Sequence, residues 1–249
     1  MAFANLDRDT KKRTSSSTYL KIQAGSPATV LILDEHPVLL LKHWISDGTG
    51  RRVGISCLDS DCPICERNNQ INWNREHPDY IARQKRYRVN VLDLTPVRRC
   101  PSCSAPYAIT VNRCAVDGCG ADLSEVAVEP LSDVKILERG PRLMESLNTL
   151  EAAPYFVTGK PEKLQSYPIM LIATGSGREM NITAVPQPRV DVDFKSLELF
   201  DLEGGVKLTR EEISFLMEGG AYRDIWEARN AAKEIAKEDV DTEASKIPF

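Results

Sequence analysis

The sequence predicts a mainly β protein with α additions and two metal-bearing insertions. Three observations point to this class: short apolar runs between glycine turns, few helix-forming patterns, and seven cysteines that fall into two groups along the 249 residues. Short strands separated by turn residues are typical of barrels and sandwiches. We expect a small closed barrel, with a sandwich as the alternative, because strand order cannot be inferred from one sequence.

Eight segments have the composition of strands. They are residues 19–23, 29–33, 38–45, 52–57, 87–94, 134–138, 168–173 and 180–184. The residues at 46–50 have the composition of a hairpin turn, and Gly175-Ser176-Gly177 predicts a second hairpin between the last two strands. Short strands, glycine turns and metal-bearing insertions together favour a barrel of the OB type.

Four regions have the composition of helices. Gly140-Pro141 predicts a helix over 141–150, because proline fits the first turn. Thr209 and Glu212 have the spacing of a capping box, and a further helix is expected over 222–237. Residues 68–84 are polar and are expected to be partly helical.

Seven cysteines and one histidine form two sets of four, and no cysteine is left over. The first set is His43, Cys57, Cys62 and Cys65, and the second is Cys100, Cys103, Cys114 and Cys119. Two residues between paired cysteines let both thiolates bind one tetrahedral ion, and four such ligands complete a structural zinc site. We therefore predict two structural Zn²⁺ sites, at residues 43–65 and, as a zinc ribbon, at 98–123.

The histidine of the first set has an alternative. His43 lies on an apolar strand, where a lone histidine often only packs, and His77 in a polar loop could replace it. We favour His43, because a strand can position a ligand in advance. A catalytic zinc keeps one coordination position open. The four ligands at each site argue against that role and against redox chemistry of the Cys-x-x-Cys pairs.

The charge of the chain is unevenly distributed. Residues 81–113 contain seven basic side chains and one acidic side chain, whereas 201–249 contain twelve acidic and seven basic residues. A basic centre indicates a polyanion partner, for which an acidic tail could compete; a solvated charged face is the alternative. No apolar run approaches the ~20 residues of a membrane span. Residues 1–18 lack the apolar stretch of a signal peptide, so we expect a cytoplasmic protein with reduced cysteines.

Three features together resemble the gene 32 protein family, the replicative single-stranded-DNA-binding proteins of tailed phages. One is a strand histidine followed by three cysteines that end in Cys62-Pro63-Ile64-Cys65. Another is the basic run at 80–93, which passes through a tyrosine into a strand. The third is a basic N-terminal arm followed by hydroxyl residues: Lys11, Lys12, Arg13, Thr14 and Ser15. The spacing between Cys57 and Cys62 is shorter than in that family, and the second cysteine set has no counterpart there.

The resemblance implies a non-enzymatic protein that coats and protects single-stranded DNA in phage replication, recombination and repair, in the cytoplasm of the bacterial host. Its core would be an OB fold at residues 19–200, and the arm at 1–18 would mediate cooperative self-association. The helical, acidic region at 201–249 would recruit replication proteins. The chain ends in Ile247, Pro248 and Phe249, which is similar to the tail tip of bacterial single-strand-binding proteins.

Single-stranded nucleic acid binds to cationic grooves and stacks its bases on aromatic rings. We expect bases to stack on Tyr80 and Tyr87. Because side chains alternate along a strand, Arg86 and Arg88 should point to one side and Tyr87 to the other. The basic residues expected at the DNA backbone are Arg51, Arg52, Arg83, Lys85, Arg86, Arg88, Arg139 and Arg142.

Two other classes of function are compatible with the same motifs. A zinc-stapled adaptor, or a zinc-ribbon component of a replication or transcription complex, would bind proteins and show no preference for single strands. A nuclease or primase would need clustered carboxylates for two metal ions. The pairs Asp59 with Asp61 and Asp191 with Asp193 have no obvious third carboxylate. We therefore expect a protein without enzymatic activity.

Overall fold

The computed structural model describes residues 18–175, 180–192, 196–203 and 207–232. Its strands are β1 Ala28–Ile32, β2 Val38–Ser46, β3 Arg52–Ser56, β4 Arg83–Asp93, β5 Pro96–Arg99, β6 Pro106–Ala108, β7 Val128–Pro130, β8 Asp133–Arg139, β9 Ile169–Thr174 and β10 Asn181–Pro186. Its helices are α1 Pro63–Gln70, α2 Pro141–Ala152 and α3 Arg210–Met217, and residues 222–232 are also helical. The fold is therefore mainly β with a few helices, as expected.

The chain divides into two compact units. The first contains the described residues up to Leu39 and those from Arg86 to Glu203, and the second contains Leu40–Lys85 and the described residues from Lys207 onward. This division crosses the expected boundary at residue 200. The physical reason is a shared core, because apolar residues of 208–225 pack with those of 45–65.

An open antiparallel sheet forms the centre of the first unit, with the strand order β10-β9-β1-β4-β8. In its middle, Val30 pairs with Asp93 of β4 on one side and with Ile169 of β9 on the other. The outer strands β8 and β10 do not pair with each other in the described part of the chain. The expected closed barrel of the OB type is therefore wrong, because closure requires the two outer strands to pair.

One face of this sheet packs on α2 and forms the core of the first unit. Val89 and Val91 of β4 point into it, together with Leu143 and Leu147 of the helix. The side chains of Arg88 and Asn90 alternate with these valines and lie on the other side of β4. Residues 196–203 cover that side, and we call them the strap. Three hydrogen bonds join β4 to the strap: Asn90 exchanges two with the backbone of Phe200, at 3.0 and 3.1 Å, and Arg88 donates one to the Leu202 carbonyl.

The second unit combines the β2–β3 hairpin with its helices. Ile45 and Ile55 of the hairpin pack with Ile64 of α1 and with Ile213 and Leu216 of α3. The predicted capping box is confirmed, since Thr209 and Glu212 exchange side-chain and backbone hydrogen bonds at the start of α3. No helix among the described residues has the length and apolarity that crossing a bilayer requires.

Local expectations differ from the structure at three places. The strand expected at residues 19–23 does not form. Tyr19 and Gln23 each make one isolated bridge, to Ile136 and Ser26, and a strand requires a continuous run of paired residues. The helix expected within 68–84 begins earlier, at Pro63, where proline fits the first turn, and β4 begins at Arg83 rather than residue 87. The N-terminal arm, apart from Thr18, and the tail tip at 247–249 lie outside the described residues.

Asp47 connects the hairpin turn to the last described helix of the second unit. Its carboxylate accepts hydrogen bonds from Thr49 and Arg51 of the turn and from the Tyr222 backbone N–H. The hydrogen bond from the Thr49 side chain, opposed by burial and aided by those backbone donors, lowers the pKa of Asp47 below its ordinary value. The ionised carboxylate therefore stabilises the folded state.

We expect Asp47→Asn to lower the thermal unfolding midpoint at pH 7. A lowered folded pKa contributes stability above the ordinary aspartate pKa and loses it as the pH falls through the folded value. The difference from wild type should therefore shrink between about pH 5 and pH 2. Calorimetry across this range measures it, with the exposed Asp191→Asn as control. A difference that is constant with pH would contradict the role of the charge.

Candidate metal centres and nucleic-acid interface

The second unit brings His43, Cys57, Cys62 and Cys65 together. Their ligand atoms all lie within 4.8 Å of one another. Cys65 Sγ lies 3.4 Å from His43 Nε2 and 3.5 Å from Cys57 Sγ. A tetrahedral zinc with Zn–S bonds of about 2.3 Å would set its sulfur atoms about 3.8 Å apart. The cluster therefore has the dimensions of a four-ligand metal site.

Local structure explains how these residues meet. Cys57 follows β3, and its N–H donates to the Leu41 carbonyl of β2 at 2.8 Å. Cys62 is the residue before α1, so Cys62 and Cys65 share the first turn of that helix. His43 of β2 is fully buried, whereas His77 is partly exposed and accepts a hydrogen bond from the Asp79 N–H. His43, and not His77, lies in the cluster.

The electrostatics of this cluster fit a cation. Burial raises the pKa of Cys65, and the neighbouring Cys57 and Cys62 raise it further. At Cys62 burial also opposes ionisation, but the hydrogen bond with His43 and nearby backbone donors lower the pKa overall. Three thiolates so close together repel one another, and a bound divalent ion removes that repulsion because a coordinating thiol is deprotonated. The thiolate and imidazole donors are those that zinc prefers.

The first unit contains the other cluster, formed by Cys100, Cys103, Cys114 and Cys119. The Sγ atoms of Cys100 and Cys119, and those of Cys103 and Cys114, are each 3.5 Å apart. The surrounding sheet has the order β6-β5-β7, and its core contains little besides the cysteines, Tyr107 and Leu123. So small a core is rarely stable alone, and a structural metal supplies the missing folding energy.

Tyr107 has a structural role at this second cluster. Its ring is buried in the core of this cluster. The Tyr107 hydroxyl lies 3.2 Å from Cys114 Sγ and accepts a hydrogen bond from the Ala115 N–H at 3.0 Å. Burial and the contact with Cys114 raise the pKa of Tyr107. Its hydroxyl therefore orients a candidate ligand, in the way that outer-sphere partners do.

Two of the residues expected to bind DNA face the interior of the first unit. Tyr87 is half-buried and packs against the core. Arg88 is only 8% exposed. Its guanidinium forms an ion pair with Glu138 at 2.8 Å and also binds the strap. We therefore leave Arg88 out of the candidate interface, because its buried guanidinium is already paired, whereas base stacking on the half-buried Tyr87 stays a prediction.

Arg86 and Arg139 lie close enough in the first unit for their positive charges to interact. A Cβ at Gly140 would lie 3.7 Å from Arg86 Nη1, which places this guanidinium at the start of α2. Burial, followed by the positive charge of Arg86, lowers the pKa of Arg139. Arg139 Nε is buried and has no hydrogen-bond partner in the described part of the chain. The first turn of α2 has no acidic residue and carries the exposed Arg142.

The second unit pairs exposed arginines with aromatic rings. Arg51 lies over Tyr222, Arg52 over Trp44 and Arg83 over Trp73, with guanidinium-to-ring distances of 6.0, 5.5 and 5.6 Å. Lys85 is also exposed, and Tyr80 is half-buried. Trp44 packs closely over Gly54 of β3. Sequence analysis named these three arginines as candidates, and the structure shows which aromatic ring each of them contacts.

The carboxylate pairs considered for an enzyme gain no support as a metal centre. Asp59 and Asp61 lie in a short 3₁₀ helix, where Asp61 Oδ1 is 3.2 Å from Arg210 Nη1. Asp193 lies outside the described residues. Within the described ranges, the two cysteine clusters are the only groups of three or more histidine, cysteine, aspartate or glutamate residues with metal-site geometry.

Neither a scan against protein-family models nor a search of curated proteins finds a match to this chain. The function must therefore be inferred from the residues themselves and from their arrangement. The two clusters of metal-ligand type and the arginine-rich surfaces are the features that bear on it.

We expect purified wild-type protein to contain two metal ions per chain, and Cys62→Ser and Cys114→Ser to contain one each, because each substitution removes a ligand from a different cluster. Mass spectrometry of the metal content measures this. His77→Ala is the matched control and should retain both ions, since His77 is outside the first cluster. Full metal content in either serine variant would contradict the assigned ligands.

Proposed function

We propose that the protein binds single-stranded DNA without chemical turnover and uses two structural zinc ions to hold its binding regions. One observation carries the proposal: Arg86 and Arg139 lie close together at the start of α2, where no acidic residue occupies the first turn. The N-terminus of a helix carries a partial positive charge that favours anions. Two guanidiniums beside it match the phosphates of a nucleic-acid backbone.

The arginine–aromatic pairs of the second unit support single strands over duplex. An exposed ring can stack on an unpaired base, while the neighbouring guanidinium binds a phosphate. In a duplex the bases already stack on one another, so these rings would have nothing to bind. The residues proposed to bind DNA are Arg86, Arg139 and Arg142 in the first unit, and Arg51, Arg52, Tyr80, Arg83 and Lys85 in the second unit.

The wider role that we propose follows the resemblance to the gene 32 protein family. The protein would coat and protect single-stranded DNA during phage replication, recombination and repair in the host cytoplasm. Its basic arm would mediate cooperative self-association. Its acidic tail, ending in Ile247, Pro248 and Phe249, would recruit replication proteins. The unequal distribution of charge along the chain supports these roles.

A protein-binding adaptor is the second candidate, and one observation favours it. Ile109 and Val116 of the zinc-ribbon region, and Val128 of the neighbouring strand β7, are exposed large apolar side chains. Where such side chains form one patch, they often mark a protein contact. An adaptor would bind single strands and duplex equally or not at all, so the same binding measurement separates the two functions.

Fluorescence anisotropy with a labelled single-stranded oligonucleotide tests the proposed function. Duplex DNA and RNA of the same sequence serve as competitors, at two salt concentrations, with the metal-loaded full chain. We expect salt-sensitive binding that duplex DNA competes for poorly, because counterion release contributes to the affinity. Equal or negligible binding to all three would reject the proposal in favour of the adaptor.

We expect Arg86→Ala with Arg139→Ala to weaken single-strand binding roughly tenfold at low salt, since charge-assisted hydrogen bonds to phosphate are lost. The slope of log affinity against log salt should become shallower by about 1.4, or about 0.7 for each phosphate contact. Arg223→Ala is the matched control, because Arg223 is exposed and paired with Glu227 at 2.6 Å. Equal slopes for the double variant and the wild type would remove this pair from the interface.

We expect deletion of residues 239–249 to strengthen single-strand binding at low salt, because the acidic tail competes with DNA for the basic surface. The gain should disappear at high salt, where charges are screened. Titrations of both forms at the two salt concentrations measure it. Unchanged affinity at low salt would show that the tail does not compete.

A further inference from the structure

We propose that Trp73 stacks on an unpaired base of the bound strand while Arg83 binds an adjoining phosphate. This inference rests on the proposed function and names one site that carries it. The indole is 37% exposed. The Arg83 guanidinium lies 5.6 Å from the centre of its ring. A large aromatic ring beside an arginine at the surface is the combination that binds single strands.

The backbone holds Trp73 in an uncommon conformation. Asn72 and Trp73 have φ angles of 52° and 55°. The left-handed region is accessible to asparagine but is a genuine outlier for a bulky residue. Such strain persists only where surrounding contacts enforce it, and it occurs preferentially at binding sites. The turn therefore keeps the ring at the surface at a conformational cost that packing alone does not explain.

Neighbouring asparagines enforce this conformation. The Trp73 N–H donates to the Asn68 carbonyl at 2.8 Å, and Trp73 Nε1 donates to Asn69 Oδ1 at 2.5 Å. Asn68 is fully buried, and its side-chain amide exchanges two hydrogen bonds with the backbone of Ile81, at 2.7 and 3.2 Å. Both ends of the loop from 71 to 81 are thus attached to α1. A ring held in place before binding loses little entropy when a base stacks on it.

The charges around the loop are compatible with a DNA strand. Asp79 is paired with Arg67 at 2.6 Å, so its negative charge is compensated. Glu76 is exposed in the same loop, and Arg75 is exposed beside it. Arg83 and Lys85 lie at the start of β4, where both are exposed. Arg83 also interacts with the Cys57 thiol and with the Asp59 carboxylate. The cations Arg75, Arg83 and Lys85 still outnumber the carboxylates Asp59 and Glu76 in and beside this loop.

Affinity for two matched oligonucleotides tests the proposal: a thymidine oligonucleotide and an abasic oligonucleotide of equal length. Trp73→Ala should weaken binding of the first by about fivefold or more, because base stacking is lost. It should leave binding of the second unchanged, because the phosphates remain. Phe156→Ala is the matched control and should change neither affinity, because Phe156 is an exposed ring outside the proposed binding residues. Metal content and thermal unfolding of each variant establish that it folds.

Tryptophan emission gives a second readout that does not depend on the alanine variant. The thymidine oligonucleotide should quench wild-type emission, Trp73→Phe should lose most of that quenching, and Trp226→Phe should retain it. Wild-type affinity in Trp73→Ala, or full quenching in Trp73→Phe, would overturn the stacking role. A different outcome would reject the proposed function itself: the wild-type protein would bind neither oligonucleotide.

Discussion

The close approach of four metal-ligand atoms in each unit is the constraint on which the rest of the structure depends. In the second unit, Cys62 and Cys65 belong to the same buried core as Ile45 and Ile213, so the candidate metal site and the apolar core are one structure. The β2–β3 hairpin and the start of α1 supply the ligands of this site, and the loop at 71–81 follows α1. In the first unit the cysteines make up much of the small core around Tyr107 and Leu123. Loss of a metal ion bound at either cluster would therefore destabilise the fold.

Arginines in this protein occupy two electrostatic environments. Arg88 is buried and neutralised by Glu138, so it supports the fold of the first unit. Arg86, two residues earlier on the same strand, lies beside Arg139, and burial together with the charge of Arg86 lowers the pKa of Arg139. Only the second kind of arginine gains energy when a polyanion approaches. Counting basic residues along a strand therefore overstates the size of an interface.

Features set by nearby residues could be predicted from the sequence, whereas features set by distant contacts could not. Cysteine spacing predicted both clusters, and Thr209 with Glu212 predicted the start of α3. Nothing near Arg88 indicates that Leu202, 114 residues away, accepts its hydrogen bond. Likewise, turn composition predicts hairpins, but the question of whether β8 reaches β10 depends on twist and register along the whole sheet.

The way in which Asn90 holds the strap bears on how this chain can evolve. Its amide donates to Asp34 Oδ1 and binds Phe200 through the backbone N–H and carbonyl, so these two bonds to position 200 do not depend on the side chain there. Any residue except proline, which lacks the N–H, preserves both bonds. Position 200 is therefore free to drift, or to be selected for a task at the surface, without loosening the segment that covers β4.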